Sequence, residues 1–475
     1  MASQRIQQNK GSKITVMKFG GKCIGTNGEN IPIVVKRIKT IKENSNYGPL
    51  VVLSAPEGIT DLTIKIGKSC ADPKVPRMST ENLFSPYMKI AQNFMKDDYK
   101  DEFLNELGKC KEIVEKTLKL VEPDHFVDRF RARILGYSGE ILTAIAFNYI
   151  LKSQGIDSCY IPIENWPIVT DNNFQSANFL LEESSKRLRY LLEPLEQKKV
   201  ILIGGFIGIT NDGKETTYER GGSDRTAADL SILLKECFNV VVDFEKDDIV
   251  RSADPKIDGI DNSELDEINH LSYNEVKIAG QFGMKIVDPL VIRDIQESGL
   301  EIEIFVTDIK NPSRYTIIQK VVSDKSGNPI KIVTGKKDCA IMELDKSKRD
   351  SLEDYLKCAK RHTDFLELGP YDKEGKSLAR FLLLDGEFVR HNELELRAFD
   401  KNSIIEYGLG AITLVGDEMA KVPGVAGKAY GALEENSINV LDGFVQRPTS
   451  RVIIVVREDF LDDSVSAIHD KRTLF

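Results

Sequence analysis

The sequence predicts an α/β protein: an open, mainly parallel sheet between helices, followed by two small α+β modules. Three observations carry that expectation. Over about the first 310 residues, short apolar runs alternate with segments whose apolar residues recur at helical spacing. The first of those runs ends in Gly20-Gly21 before a helical pattern, and later runs are each followed by a turn or a helical pattern. Beyond Asn311-Pro312 the texture changes, and two shorter stretches each show a strand, a helix and further strands. The divisions implied are residues 1–310, 311–400 and 401–475.

Taken in order, Ile14 to Phe19 is an apolar run ending in Gly20-Gly21. A helical pattern then starts after Asn30, with Ile31, Val34, Val35, Ile38 and Ile41 on one stripe. Gly48-Pro49 closes this unit, and Leu50 to Leu53 reads as a fully buried strand. Asp61 to Leu151 is charged and mostly helical, interrupted by prolines, with an exposed insert expected around Asp97 to Glu106. Val200 to Ile209 and Val240 to Phe244 are further apolar runs, each followed by a turn or a helical pattern. In the first small module the best elements are Cys339 to Leu344, Leu352 to Cys358 and Leu378 to Leu384. In the second, Ala411 to Val415, Asn439 to Leu441 and Arg451 to Val456 read as strands and Val425 to Leu433 as a helix.

Composition excludes several classes of function. With 41% hydrophobic and 29% charged residues the chain is neither disordered nor fibrous. A net charge of −9 argues against nucleic acid as a partner. The seven cysteines are scattered without a Cys-x-x-Cys pair, which indicates neither a disulfide framework nor a zinc site. The N-terminal stretch MASQRIQQNKGSK lacks an apolar signal segment, and no long uncharged run suits a membrane, so a cytoplasmic protein is expected.

Two stretches suggest chemistry. In YERGGSDRTAADLSILLKE (Tyr218 to Glu236), Ala227, Leu230, Leu233, Leu234 and Cys237 fall at helical spacing, so Arg220 to Asp224 lies at or just before a helix N-terminus. There, free backbone N–H groups receive an anion, the glycines admit close approach, Ser223 or Asp224 can cap, and Arg220 can grip a carboxylate or a phosphate. An ordinary capped loop before a core helix reads the same way. At Lys18-Phe19-Gly20-Gly21 a cation and two glycines end a strand, an arrangement that suits a phosphate chain without having Walker spacing.

The order of these and other motifs resembles the aspartate kinases, members of the amino acid kinase superfamily. The resemblance is carried by MKFGG (Met17 to Gly21), LSAPEGIT (Leu53 to Thr60), SGE (Ser138 to Glu140), VTDNNFQSA (Val169 to Ala177), GGFIGIT (Gly204 to Thr210), ERGGSDRTA (Glu219 to Ala227), SADPK (Ser252 to Lys256) and FGMKIVDP (Phe282 to Pro289). The tail GDEMAKVPGVAGKAYGALEENSINV (Gly416 to Val440) is similar to the ACT regulatory repeats of the same family.

That resemblance implies an amino acid kinase fold followed by two ACT-like modules, and phosphorylation of the β-carboxylate of L-aspartate by ATP carried with Mg²⁺, the first step of lysine, threonine and methionine synthesis. Lys18 and Asp224 match catalytic positions. Ser54, Thr60, Glu140, Phe174, Arg220 and Ser223 match positions that hold aspartate, Glu140 taking its ammonium and Arg220 its α-carboxylate. Gly20, Gly21, Asp248, Lys256 and Lys285 match the nucleotide side, and no protein metal ligand is implied. The ACT-like modules imply an amino-acid effector and a homodimer or a dimer of dimers.

The chain also departs from the family's pattern. Lys22-Cys23 replaces the usual small hydroxyl residues after KFGG; Lys22 either supplements the phosphate grip or points to solvent, and Cys23 offers a weaker hydrogen bond than serine. Phe244 to Ile249 replaces a Trp-Thr-Asp-Val-x-Gly nucleotide loop, and Asp288-Pro289 replaces His-Pro. Asp345 to Asp350 stands where an effector loop is glycine-rich, and Gln446 to Ser450 replaces Gln-Gly-Ser-Ser-Glu. The regulatory departures predict weak or altered feedback. The nucleotide-loop departure leaves two alternatives, an amino acid kinase with a changed donor or substrate, and a catalytically silent paralogue that senses amino acids.

Overall fold

A computed structural model of the chain describes residues 12–121, 128–219, 221–321, 328–358, 364–373, 375–446 and 451–474. Arg220 and the replaced loop at 447–450 therefore lie outside the described residues. The chain divides into two compact units, Met1–Ile249 with Leu290–Gln319, and Val250–Pro289 with Lys320–Phe475.

In the first unit the apolar runs become strands β1 (Lys13–Phe19), β2 (Leu50–Leu53), β3 (Ser158–Tyr160), β4 (Val200–Gly204), a hairpin β5 (Ile207–Ile209) and β6 (Glu215–Thr217), and β7 (Asn239–Lys246). β8 (His270–Ser272) belongs to the second unit, while β9 (Glu303–Asp308) and β10 (Tyr315–Gln319) return to the first. The sheet runs β3-β4-β2-β1-β7-β9-β10. Every neighbouring pair is parallel except β9 with β10. β2 and β4 are buried along their whole length, as parallel strands covered on both faces must be, which is why their sequences LVVL and VILIG do not alternate.

Register brings the carboxyl ends together. Gly204, Leu53, Phe19 and Glu245 lie in one row across β4, β2, β1 and β7. In an open α/β sheet the crevice outside such ends is where ligands bind. The helix Gly222–Lys235 has every residue through Leu234 buried, its polar members included. The helix Glu140–Ser153 is buried on all sides, consistent with its continuous apolar sequence. Within the helical stretch Phe130–Ser153 the most apolar 18-residue window has a mean hydropathy of 1.3 and is 89% buried in this core.

Three sequence expectations need correction here. The exposed insert expected around Asp97 to Glu106 is no insert but the start of a 22-residue helix, Asp97–Leu118, whose acidic face meets solvent while its other face buries Phe103 and Leu107. The run Val200 to Ile209 is two strands, broken where Phe206 adopts a positive φ of 69°. The strand expected at Asn439 to Leu441 begins instead at Asp442.

The second unit holds one antiparallel sheet rather than two separate ones. β11 (Ile332–Asp345), β12 (Phe365–Glu367), β13 (Tyr371–Lys373), β14 (Lys376–Leu383), β15 (Ile404–Val415), β16 (Asp442–Gln446) and β17 (Arg451–Arg457) run in the order β12-β14-β11-β15-β17-β16, with β13 on β14. The long strands β11 and β15 pair from Ile332 with Val415 to Glu343 with Ile404 and join the two modules. A register irregularity between Lys336 and Ile341 interrupts that ladder, and Asp338 there has a φ of 56°. The helices Val425–Glu435 and Leu461–Lys471 cover the β15–β17 part through Val425, Ala429, Leu433, Leu461, Val465 and Ile468.

Candidate active site

β1 ends by presenting Lys18, whose Nζ lies 2.7 Å from Asp224 Oδ1 in the first turn of the helix Gly222–Lys235. Both side chains are nearly enclosed, at 13% and 11% exposure, so this ion pair sits in a low-dielectric pocket, unlike a surface pair. The chain after Lys18 turns through Gly20 into a single helical turn, Gly21–Ile24. A Cβ on Gly21 would fall 2.7 Å from the Ala55 carbonyl oxygen, so only glycine lets this turn lie against the loop after β2. Lysine, tight backbone and helix terminus together form a cradle that a phosphate chain fits.

Across the same crevice, the loop after β2 carries Ser54, whose N–H donates to Phe19 O at 3.1 Å, and Thr60, near the start of the helix Ile59–Ala71. Ala55 of this loop donates a backbone hydrogen bond to the Glu140 carboxylate. Glu140 opens the helix Glu140–Ser153 and is only 4% exposed. Its Oε2 has no hydrogen-bond partner, and burial pushes its carboxyl up to about 7 despite the opposing Ala55 bond and the Arg131 charge. A buried carboxylate oxygen left without a donor is costly unless something supplies one. An ammonium group supplies both donor and charge.

Ser223 sits beneath the β4 end: a Cβ on Gly205 would lie 2.6 Å from the Ser223 Cβ. Neither Ser223 nor Asp224 caps the helix. The N-cap is Gly221, at a φ of 96° and with no side-chain cap bond, which corrects the capping expectation and leaves both side chains for other contacts. Phe174 is half-buried, and its carbonyl accepts from Thr217 N at 3.0 Å. Lys18, Asp224, Gly20, Gly21, Ser54, Thr60, Glu140, Phe174 and Ser223 all belong to the first unit. Lys256 and Lys285 belong to the second, both exposed. Arg220 is outside the described residues.

The departures at the nucleotide side acquire physical reasons. Glu245 is a buried residue of β7, bound by Arg37 Nε at 2.6 Å, while Arg37 also reaches Asp243 at 2.8 Å and Thr307 donates to Asp243 at 2.6 Å. Burial and the neighbouring Asp243 push the Glu245 carboxyl up. Cys23 is buried too, donating from Sγ to the Glu245 carbonyl at 3.2 Å, so it ties the phosphate turn to β7. Lys22 is exposed, and its carbonyl accepts from Asn30 Nδ2 at 3.0 Å. Asp248 pairs with Arg314 at 2.8 Å.

Sequence reasoning missed Arg131, Arg37 and the Ala55 backbone. Arg131 donates to Thr217 Oγ1 at 3.2 Å, and its charge opposes the desolvation of Glu140. The run RFRAR before SGE was visible, but the turn at Gly139 breaks any helical spacing that would link Arg131 to Glu140.

Comparison with known proteins places this geometry. The amino acid kinase family matches residues 13–308, and an ACT domain matches residues 412–471. The bifunctional aspartokinase/homoserine dehydrogenase of Buchnera aphidicola is 25% identical over 97% of the chain and 56% of that protein. The chain thus spans about half the length of the curated relatives it first matches. The lysine-sensitive aspartokinase 3 of Escherichia coli is 23% identical over 90% of the chain and 93% of its own. The crystal structure of Escherichia coli aspartokinase III in complex with aspartate and ADP superposes with a TM-score of 0.77 at 20% identity, covering 96% of this chain and 99% of that one. This last likeness establishes the shared fold.

Proposed function

Because the chain belongs to the amino acid kinase family, we propose that it is an aspartate kinase, which transfers the γ-phosphoryl group of ATP to the β-carboxylate of L-aspartate. The observation that carries the reading is the buried, unpartnered Oε2 of Glu140 in the same unit as the Lys18–Asp224 pair. One feature fits the ammonium of an amino acid, the other a phosphoryl group in flight. The relative bound to aspartate and ADP supports the same pair of ligands.

The β-carboxylate is already an ionised nucleophile, so no general base is required. One of its oxygens attacks the γ-phosphorus, the bond to the ADP oxygen breaks, and no proton need move. The chain's task is to bring two anions together. Lys18, oriented by Asp224, offsets charge on the transferring oxygens; Glu140 holds the ammonium; Arg220 takes the α-carboxylate; Ser54, Thr60, Phe174 and Ser223 shape the pocket. Gly20 and Gly21 lay backbone against the phosphates, with Lys256 and Lys285 as further nucleotide cations. Mg²⁺ would arrive on the triphosphate and neutralise phosphate charge there.

The divisions at 1–310, 311–400 and 401–475 then separate a catalytic domain from two ACT-like modules, which bind an effector weakly or serve to pair subunits in a cytoplasmic homodimer. The first step of lysine, threonine and methionine synthesis is the pathway this activity implies. A changed phosphate donor is the second reading, favoured by the Arg37-bound Glu245 and the Arg314-bound Asp248 where a nucleotide loop is expected. Hydroxylamine trapping of the acyl phosphate with aspartate and either ATP or GTP, with nucleoside diphosphate release followed in parallel, tests both. Aspartate-dependent hydroxamate with ATP is expected. Hydroxamate with GTP alone selects the second reading, and none with either nucleotide ends the kinase reading.

A further inference from the structure

Within the first unit, one tyrosine braces the turn that leads into the helix Gly222–Lys235. Tyr218 directly follows β6 and is 1% exposed. Its N–H donates to Phe206 O at 3.1 Å. A Cβ built on Gly222 would fall 2.4 Å from the Tyr218 Cβ and 2.8 Å from the Phe206 ring, so the tyrosine lies hard against the start of the helix. Its hydroxyl donates to Asp229 Oδ2 at 2.5 Å, about two turns further along the same helix, and Asp229 is also 1% exposed. The Arg225 guanidinium stands 4.6 Å from the centre of the Tyr218 ring, and its Nε reaches Asp294 Oδ2 at 3.3 Å. Burial pushes the Asp229 carboxyl up to about 7, with Asp294 adding to the rise, whereas the Tyr218 hydroxyl and the Arg225 charge favour its ionised form. All four residues belong to the first unit.

The brace has a pocket element on each side. Just before Tyr218, Thr217 donates to Phe174 O from its N–H at 3.0 Å and from its Oγ1 at 3.1 Å, and its carbonyl accepts from Ala177 N at 3.0 Å. Just after it, Gly222 N–H donates to Glu219 O at 3.0 Å, so the backbone turns at once into Ser223. We propose that Tyr218 and Asp229 are a positioning pair for the amino acid substrate: their hydrogen bond fixes the chain that runs from the Phe174 contact to the turn before Ser223. This rests on the reading of Phe174, Arg220 and Ser223 as an aspartate pocket. The helix itself is buried through Leu234 and keeps Asp224 on Lys18 without the brace. Loosening the brace therefore raises the aspartate KM and leaves kcat and the ATP KM unchanged.

The full chain with Tyr218→Phe, Asp229→Leu, both together, or Asp229→Asn tests it. The first two remove the same hydrogen bond from opposite sides, and the double variant replaces both partners by apolar groups. Asparagine keeps an oxygen that accepts from the hydroxyl, while Arg225 keeps Asp294. Steady-state kinetics in both substrates and thermal melts are the readouts. The expected result is an aspartate KM higher by about tenfold in each single apolar variant, the scale of one buried hydrogen bond. The double variant shows no further rise, because the two changes remove one interaction. The asparagine variant keeps the parent's aspartate KM. Variants that melt lower with the parent's aspartate KM, or that lose kcat instead, overturn the positioning role and leave the kinase reading standing, as does an asparagine variant no better than leucine. A parent chain that forms no aspartate-dependent hydroxamate overturns both.

Discussion

Glu140 gives the most direct test of the site, because its environment makes substrate binding a proton-linked event. In the free protein the carboxyl titrates at about 7 instead of 4.5, chiefly because burial disfavours its charged form. At pH 6 it is then about 90% protonated and at pH 8 about 10%. An ammonium placed on its unpartnered Oε2 favours the carboxylate and returns the group toward its ordinary value. Binding of L-aspartate therefore releases about 0.9 proton at pH 6 and about 0.1 at pH 8. Affinity rises with pH up to about 7 and then levels. Calorimetry in buffers of different ionisation enthalpy counts those protons directly. Glu140→Gln, which keeps shape and removes charge, abolishes the proton release and weakens aspartate binding by about 10- to 100-fold, the value of a charged hydrogen bond. The free protein shows the complementary trend. A carboxyl raised on folding binds its proton more tightly in the folded state. The stability it contributes is complete below about 4.5 and is lost as pH rises through about 7, by about 3 kcal/mol in all. Equal proton counts at pH 6 and pH 8, or a glutamine variant that binds aspartate normally, would refute the assignment.

Other outcomes follow from the same geometry. Lys18→Ala lowers kcat by about 10²- to 10³-fold with a small effect on aspartate KM, since its charge acts on the transferring group; Asp224→Asn gives a milder form of the defect. Gly205→Ala drives a methyl against Ser223 and raises aspartate KM, with a stability cost of about 1–3 kcal/mol visible in thermal melts. Arg37→Ala leaves Asp243 and Glu245 buried without their cation and destabilises by about 3–5 kcal/mol in urea titrations. Glu245→Gln acts oppositely. The parent carboxyl is raised to about 9, so its stabilising proton is lost as pH climbs toward that value, while the glutamine variant shows a flatter melting profile between pH 6 and 9. A Glu245→Gln profile that parallels the parent's removes Glu245 from the pH response.

Local features were legible in the sequence, and long-range ones were not. Leu50 to Leu53 and the helix after Gly222 could be read because burial on two faces and helical spacing write themselves into adjacent residues. The gathering of MKFGG, SGE and GGSD motifs could be expected only through their resemblance to a family. Arg37 and Glu245 stand 208 residues apart, and no local pattern pairs them. Glu245 is instructive: aligned against a nucleotide loop it looks like a damaged contact, whereas in the fold it is a buried residue of β7 that accepts a hydrogen bond from Arg37. The merger of the two small modules was invisible for a related reason. Antiparallel pairing of β11 with β15 leaves each module's own strand-helix-strand pattern intact.

That shared sheet has a consequence for how the tail can change over generations and in the laboratory. Because β11 has β14 on one side and β15 on the other, neither module possesses a boundary at which it can be cut away cleanly. A chain ended near residue 400 strips β11 of its β15 ladder and bares a long strand edge, the kind that recruits other chains. Exchange with a foreign sensor must therefore replace the pair, and drift in one half is answerable to its neighbour across the β11–β15 seam.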